Sequence, residues 1–350
     1  MRKIKTTISL HLFGIILFFS GCMYFEKPAN KIIGESLVLI KNEPAKLALD
    51  HLVGAIELRS ACQPNANTKY YKYGVDYTVD YENGTISRTS NSSIPDYSTH
   101  IMYGKSGFKH LEYGAYSKWT NTPYFVYIDY SSTNSNKFAA KNDQSVYLTK
   151  TRKKLESGDT LTIAWYGDSI TAGGEASSVS LSFTAMYVKF LKTKFHRANI
   201  SSKNVSVPGY SSAQGIESLD AKFGSIIPDL VFIGFGMNDH NIGGPEPELF
   251  KENLKTLANL IRSKYPAEVV LFSAFPPNDN WYSGTHRMQL FAEATKQAAI
   301  DSKCAYVDVY AVWSNVLIRK TPSSLLSNNI NHPNDFGHWL YLQAFEAMIF

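Results

Sequence analysis

Cysteine is scarce in this chain, with three among 350 residues. Cys22 follows a leader-like N-terminus, so the body of the protein keeps Cys62 and Cys304. In an exported protein these two could pair, but they fall in different predicted domains, and two buried thiols are expected. A strong excess of one charge is also lacking. The formal net charge is +5 and falls to +2 without Arg2, Lys3 and Lys5, which leaves no electrostatic footprint for nucleic acid. Past the N-terminus there is no second apolar run of transmembrane length, no internal repeat and no low-complexity tract. No His, Cys, Asp or Glu residues stand at metal-ligand spacing, and no metal or other cofactor is expected. The glycines of "GDSITAGG" are followed by no Gly-Lys-Ser/Thr, which excludes a Walker phosphate loop.

The N-terminus carries an address. Arg2, Lys3 and Lys5 form a positive segment, and Ile8 to Phe19 is an apolar core of signal-peptide length, short for a membrane span. It ends in Phe19-Ser20-Gly21-Cys22. Small residues before a cysteine resemble a bacterial lipobox, in which Cys22 is diacylated and becomes the new N-terminus; Phe19 stands where Leu is usual. The expectation is a lipoprotein signal over 1–21, a tether over 22–40, and a mature protein exported to the cell envelope and anchored there by lipid.

The chain changes character near residue 150. Between Tyr70 and Tyr147 lie 13 of the 22 tyrosines. "YGVDYTVDYENGTIS" alternates around Asn83-Gly84, a hairpin signal, and "YFVYIDY" is a second aromatic, β-rich run. Residues 41–150 are therefore expected to form a small all-β domain of sandwich or jelly-roll type. Its tyrosines could stack on sugar rings or fill the core of the sheets. "TRKKLESGD" (151–159) reads as a charged linker into a second domain, 151–350. There strands ("TLTIAWYG", "NVSV", "DLVFIGFG", "EVVLFSAF", "AYVDV") alternate with helical patterns, the signature of a parallel sheet covered on both faces. Active groups in such α/β sheets gather at the C-terminal ends of the strands.

The predicted strand ends hold a distinctive set. The first ends in Gly167-Asp168-Ser169, the second in "VPGYSS" with Gly209, the third in Gly236-Met237-Asn238-Asp239, and "NNINHPNDFGH" near the C-terminus contains His332. These four elements, in this order, resemble the SGNH hydrolases, or GDSL family, over roughly 161–350. The resemblance implies a three-layer, flavodoxin-like α/β fold. It also implies a serine esterase with Ser169 as nucleophile and His332 as general base. The oxyanion hole would be made by the backbone N–H groups of Ser169 and Gly209 and the side-chain amide of Asn238. The preceding β region resembles the accessory domain of some exported carbohydrate esterases of that family.

The chemistry asks for these residue types. A serine hydroxyl needs a base to take its proton, and imidazole titrates near neutrality. Asn donates to an oxyanion without a charge to bury, and Gly avoids crowding the substrate. In one respect the sequence departs from the family, which has Asp three residues before the histidine; here Asn329 stands there. Either Asn329 or a backbone carbonyl orients His332, or Asp335 or Asp308 substitutes, or the enzyme is weak or dead. Asp168 and Asp239 are expected to hold their loops. His240 could touch substrate or be solvated, His338 is expected to pack at a helix start, and His286 with Arg287 shows no ligand spacing. The reading reached is an exported esterase that removes small acyl groups, above all acetyl, from carbohydrate. A lipolytic acylhydrolase, an acyltransferase and a non-catalytic glycan-binding lipoprotein are the alternatives.

Overall fold

The computed structural model describes residues 30–134 and 137–350. The leader, Cys22 and the first part of the expected tether lie outside the described residues. The strands of the N-terminal half are β1 (Asn30–Leu37), β2 (Ala45–Lys46), β3 (Leu52–Arg59), β4 (Tyr70–Tyr71), β5 (Tyr77–Asp80), β6 (Thr85–Arg88), β7 (Val126–Ser132) and β8 (Asn142–Asp143). β1 to β7 build two small antiparallel sheets, ordered β1-β7-β3-β4 and β2-β6-β5, while β8 pairs in parallel with a short strand at Met348–Ile349 near the C-terminus. Part of the expected tether is thus a strand: β1 pairs along β7, interrupted by a bulge between Ile32 and Glu35. Gly34 sits in that bulge at φ +71, and a Cβ there would lie 2.9 Å from the Cys62 sulfur. The bulge breaks the period-two alternation by which a strand announces itself. The Asn83-Gly84 hairpin forms between β5 and β6, its turn held by the Asp80 carboxylate accepting from the Asn83 backbone N–H (3.0 Å) and side-chain amide (2.7 Å). Tyr71, Tyr77, Tyr97, Tyr127 and Tyr130 are buried, so much of the tyrosine wealth fills the core.

The segment read as a linker is a helix, α1 (Thr149–Ser157), that ends on Gly158 in a left-handed conformation. Its surface is charged because it buries only Thr151 and Leu155. After it come β9 (Thr160–Gly167), α2 (Phe183–Lys194), β10 (Asn199–Asn204), α3 (Ser212–Phe223), β11 (Leu230–Gly234), α4 (Pro247–Lys264), β12 (Glu268–Phe272), α5 (Met288–Asp301), β13 (Ala305–Val307), α6 (Val309–Leu317), α7 (Asp335–Glu346) and β14 (Met348–Ile349). The five-stranded sheet has the order β10-β9-β11-β12-β13, and every pair in it is parallel. β11 is buried along its whole length, as expected of a strand covered on both faces. α4 shows the matching helical pattern and turns Phe250, Leu254, Leu257, Ala258 and Ile261 to the sheet. Trp165 of β9 stacks on Phe232 of β11 at 4.3 Å between ring centres. Among the described residues no helix is long and apolar enough to cross a membrane.

The two domains share one apolar core and are joined by buried polar contacts. The Lys320 ammonium lies 2.6 Å from the Glu35 carboxylate, with both side chains fully buried. The Glu35 carboxylate also accepts from the Ala48 N–H (2.9 Å) and the Tyr130 hydroxyl (2.6 Å). Lys320 donates further to the Ser36 carbonyl at 2.9 Å. The pair is thus hydrogen-bonded on both sides, as a buried ion pair must be. Cys62 and Cys304 are both free thiols, Cys304 buried and Cys62 half-buried.

Candidate active site

β9 runs as a buried apolar strand to Gly167, where the chain turns. A Cβ on Gly167 would stand 2.2 Å from the Gly234 carbonyl oxygen; glycine lets β9 and β11 stay paired to their last residues. The turn is braced by Asp168, whose carboxylate accepts from the Ile170 N–H at 2.9 Å. Full burial pushes Asp168 up, to about 7. Asp239 plays a similar part beside it. It accepts from the Ser212 hydroxyl (2.5 Å) and from the backbone N–H groups of Ser212 and Gly236, tying the β11 turn to the start of α3.

Ser169 emerges half-exposed from this braced turn, and its Oγ lies 2.8 Å from His332 Nε2. Residues 163 positions apart are thereby brought together. Burial pushes His332 down, to about 4, so its imidazole is neutral at neutral pH and free to take a proton. Among the described residues no carboxylate contacts the ring and no hydrogen bond reaches Nδ1.

Three donor groups follow the C-terminal ends of β9, β10 and β11, which lie side by side in the sheet. Ser169 N–H and Gly209 N–H donate to no protein acceptor among the described residues. Gly209 has φ +81, and a Cβ added there would meet nothing within 4 Å. Glycine is therefore required by the backbone conformation rather than by crowding against protein. One N–H of the Asn238 amide donates to the Tyr210 carbonyl at 3.0 Å. That contact fixes the amide and leaves its second N–H without a protein partner.

Asn329 is not beside the imidazole in the way the sequence suggested. It is buried at φ +55. Its Oδ1 accepts from Tyr97 Oη (3.2 Å), Asn121 Nδ2 (3.3 Å), Asn278 Nδ2 (3.3 Å) and Ser323 Oγ (3.3 Å). Its own amide faces the Met102 sulfur at 3.5 Å. With both ends engaged elsewhere, the side chain cannot also hold Nδ1. Asp335 and Asp308 are also committed. Asp335 accepts from the Ser177 N–H (2.8 Å) and hydroxyl (2.7 Å), and Asp308 caps α6 through the Ala311 N–H at 2.9 Å.

The other histidines singled out in the sequence are structural or peripheral. His338 is fully buried, pushed down to about 4, and bridges the Gly174 carbonyl (3.1 Å) and the Phe183 N–H (3.4 Å). His240 is buried too, with Nδ1 2.6 Å from the Met237 carbonyl, rather than solvated or open to substrate. His286 is exposed, 3.3 Å from Asp279.

A cleft of about 390 Å³ lies against His332 and Asn238. His110, Tyr116 and Trp119 of the N-terminal domain form part of its wall, and Trp281, Asn241 and Asn331 another part. Tyr116 Oη donates to the Glu175 carboxylate at 2.5 Å, joining the N-terminal domain to the loop that follows the nucleophile. Sequence reasoning did not assign these wall residues. Tyr116 opens one short 3-10 turn and Trp119 caps it, among many similar aromatics, and nothing in their spacing sets them apart.

The GDSL-like lipase/acylhydrolase family model matches residues 165–340. No curated protein matches the chain. Among solved structures, a two-domain esterase active on acetylated mannans is similar at 24% identity and TM-score 0.49, over 58% of this chain and 52% of that one. The chain thus spans about half the length of that esterase. An acetylxylan esterase from Geobacillus stearothermophilus is similar at 21% identity and TM-score 0.46, over 53% of this chain and 92% of that one.

Proposed function

Because the chain belongs to the GDSL-like lipase/acylhydrolase family of serine ester hydrolases, we propose that it removes acetyl groups from carbohydrate, through an acyl-enzyme on Ser169. The observation that carries this reading is the 2.8 Å contact of Ser169 Oγ with His332 Nε2 beside a cleft walled by tryptophan, tyrosine and asparagine side chains. Aromatic faces suit the C–H faces of sugar rings, and amide side chains suit their hydroxyls. An acyl-chain trough would ask for a continuous apolar lining instead.

In this reading the steps are as follows. His332 Nε2 takes the Ser169 proton as Oγ attacks the acetyl carbonyl. The tetrahedral oxyanion accepts from the Ser169 and Gly209 N–H groups and from the Asn238 amide. Collapse expels the sugar alkoxide, which takes the proton back from His332, and leaves acetyl on Oγ. Water, deprotonated by the same imidazole, then releases acetate and restores the serine. With His332 held low, the imidazole is a weak base that stays ready down to mildly acidic pH.

The protein acts, in this reading, outside the cytoplasm, tethered through a lipidated Cys22. The leader motif supports that address, and mass determination of the mature N-terminus tests it. For the chemistry, a panel of p-nitrophenyl esters and acetylated xylo- and manno-oligosaccharides is to be run on wild type and Ser169→Ala. Acetate release from the sugars and a steep fall from acetate to octanoate esters are expected. Faster turnover of octanoate moves the assignment to a lipolytic acylhydrolase.

A further inference from the structure

Among the described residues His332 has no carboxylate behind it, yet a general base works only if its ring is held in one orientation. The hold has to come through the backbone that carries it. That backbone is an irregular stretch between α6 and α7, and the structure shows it fastened largely from outside its own domain. We propose that the N-terminal domain positions the general base, with Asn121 and Tyr97 acting on His332 through the turn at 323–329. This rests on the reading of Ser169 and His332 as nucleophile and base.

Two hydrogen bonds in series make the shortest path. The Asn121 N–H donates to the Ser327 carbonyl at 2.7 Å, and the Ser327 N–H donates to the His332 carbonyl at 2.9 Å. The Asn121 side chain reinforces them. Its amide nitrogen donates to the carbonyls of Leu326 (2.8 Å) and Ser323 (3.2 Å) and to Asn329 Oδ1. These contacts cross more than 200 positions of sequence and are buried. Tyr97 Oη lies between Asn121 Oδ1 (3.0 Å) and Asn329 Oδ1 (3.2 Å).

What is fastened there is the conformation that aims the imidazole. Asn329 occupies the left-handed region at φ +55, which Asn tolerates better than most residues but which still needs support. Four donors on its Oδ1 provide that support, two of them from Asn121 and Tyr97. From this turn Asn328 takes over, its Oδ1 accepting from the N–H groups of Ile330 (3.0 Å), Asn331 (2.9 Å) and His332 itself (2.9 Å). The asparagine three residues before the histidine is thus the keystone of a backbone turn rather than a partner of the ring. It is braced from both domains, by Tyr97 and Asn121 on one side and Asn278 and Ser323 on the other.

Tyr97→Phe and Asn121→Ala test this with a small acetate ester that needs no sugar contact. Both variants are expected to lower kcat with KM unchanged. Misplacement of a catalytic group by about 1 Å costs about 10² in rate, which bounds the Asn121→Ala loss. Removing one hydrogen bond at Tyr97 is expected to cost about 3- to 10-fold. Each substitution is then repeated in a His332→Ala background. A positioning role acts only through the imidazole, so no further loss in residual rate is expected there. An equal loss in both backgrounds overturns the proposal in favour of a general structural role. Tyr97→Phe keeps the ring that stacks on His100 at 4.9 Å, so it gives a folded reading even where Asn121→Ala does not. Wild-type kcat in Tyr97→Phe and Asn121→Ala, with Ser169→Ala and His332→Ala reduced to a small residual rate, overturns the positioning role and leaves the catalytic reading standing. Full activity in Ser169→Ala or His332→Ala removes the catalytic reading itself.

Discussion

The two halves of the candidate dyad are held in opposite ways. Ser169 sits at the end of a buried central strand, and its turn is stiffened by its neighbour Asp168 and by the adjoining strand. The contacts that brace its turn lie within the hydrolase domain. His332 sits in an irregular loop, fixed by side chains from an N-terminal domain that supplies no candidate nucleophile, base or oxyanion donor. The first arrangement is a property of the sheet. The second is a property of the joint between domains, and it exists only when both have folded and docked.

Several measurements would break or sharpen that contrast. The largest effect is expected at the strand end. Ser169→Ala should remove essentially all ester hydrolysis, a loss on the order of 10⁶ in kcat, the scale on which serine proteases depend on their nucleophile. Its unfolding midpoint in urea should stay at the wild-type value, because a half-exposed hydroxyl adds little to stability. A serine-directed phosphonate should label Ser169 in wild type, and labelling of another serine sinks the assignment.

Next comes the joint. Lys320→Ala leaves the Glu35 carboxyl buried and without its partner, and should cost about 3–5 kcal/mol in stability. Activity should fall alongside it, since the same stretch of chain leads to His332. Retention of the wild-type denaturation midpoint would mean that the pair does not hold the domains. Asn238→Ala, on the sheet side, should cost about 10²–10³ in kcat while leaving stability near wild type. An unchanged kcat there removes Asn238 from the oxyanion hole.

The smallest effect concerns pH. His332 is held low by burial, to about 4, and an imidazole accepts a proton only when neutral. The rising limb of kcat/KM should therefore lie near pH 4 to 5 rather than at the ordinary histidine value of about 6.5. Asn329→Asp should not move that limb far, because the side chain faces Tyr97, Asn121 and Asn278 and not the ring. A carboxylate touching the imidazole would favour its charged form and shift the limb to higher pH. A clear upward shift in Asn329→Asp would place the side chain against Nδ1 after all.

The same contrast explains what could be read in the sequence. Gly167-Asp168-Ser169 is legible because strand, turn and serine are contiguous, and the boundaries of β9 coincide with "TLTIAWYG". The alternation of strands and helices after residue 160 is legible for the same reason, although the second strand, read at "NVSV" (204–207), forms earlier, at Asn199–Asn204. β1 is not, because a bulge at Gly34 interrupts its pattern. α1 looks like a linker because only two of its side chains are buried. The surroundings of Asn329 are the least legible of all. Its position relative to His332 suggested a triad partner, but its hydrogen bonds come from Tyr97 and Asn121, 232 and 208 positions away. A local motif cannot register donors that arrive only through tertiary folding. The cluster "SNNIN" does carry a trace of the outcome, since asparagines collect where backbone turns need side-chain acceptors and left-handed residues.

The buried Glu35–Lys320 pair also bears on inheritance. Domains joined by water-exposed contacts can be shuffled between genes, each arriving with its own solvated surface. Here an exchange of either domain strands one charge in an apolar interior. A chimera that exchanges one domain alone is therefore expected to lose stability unless its replacement restores the partner of Glu35 or Lys320.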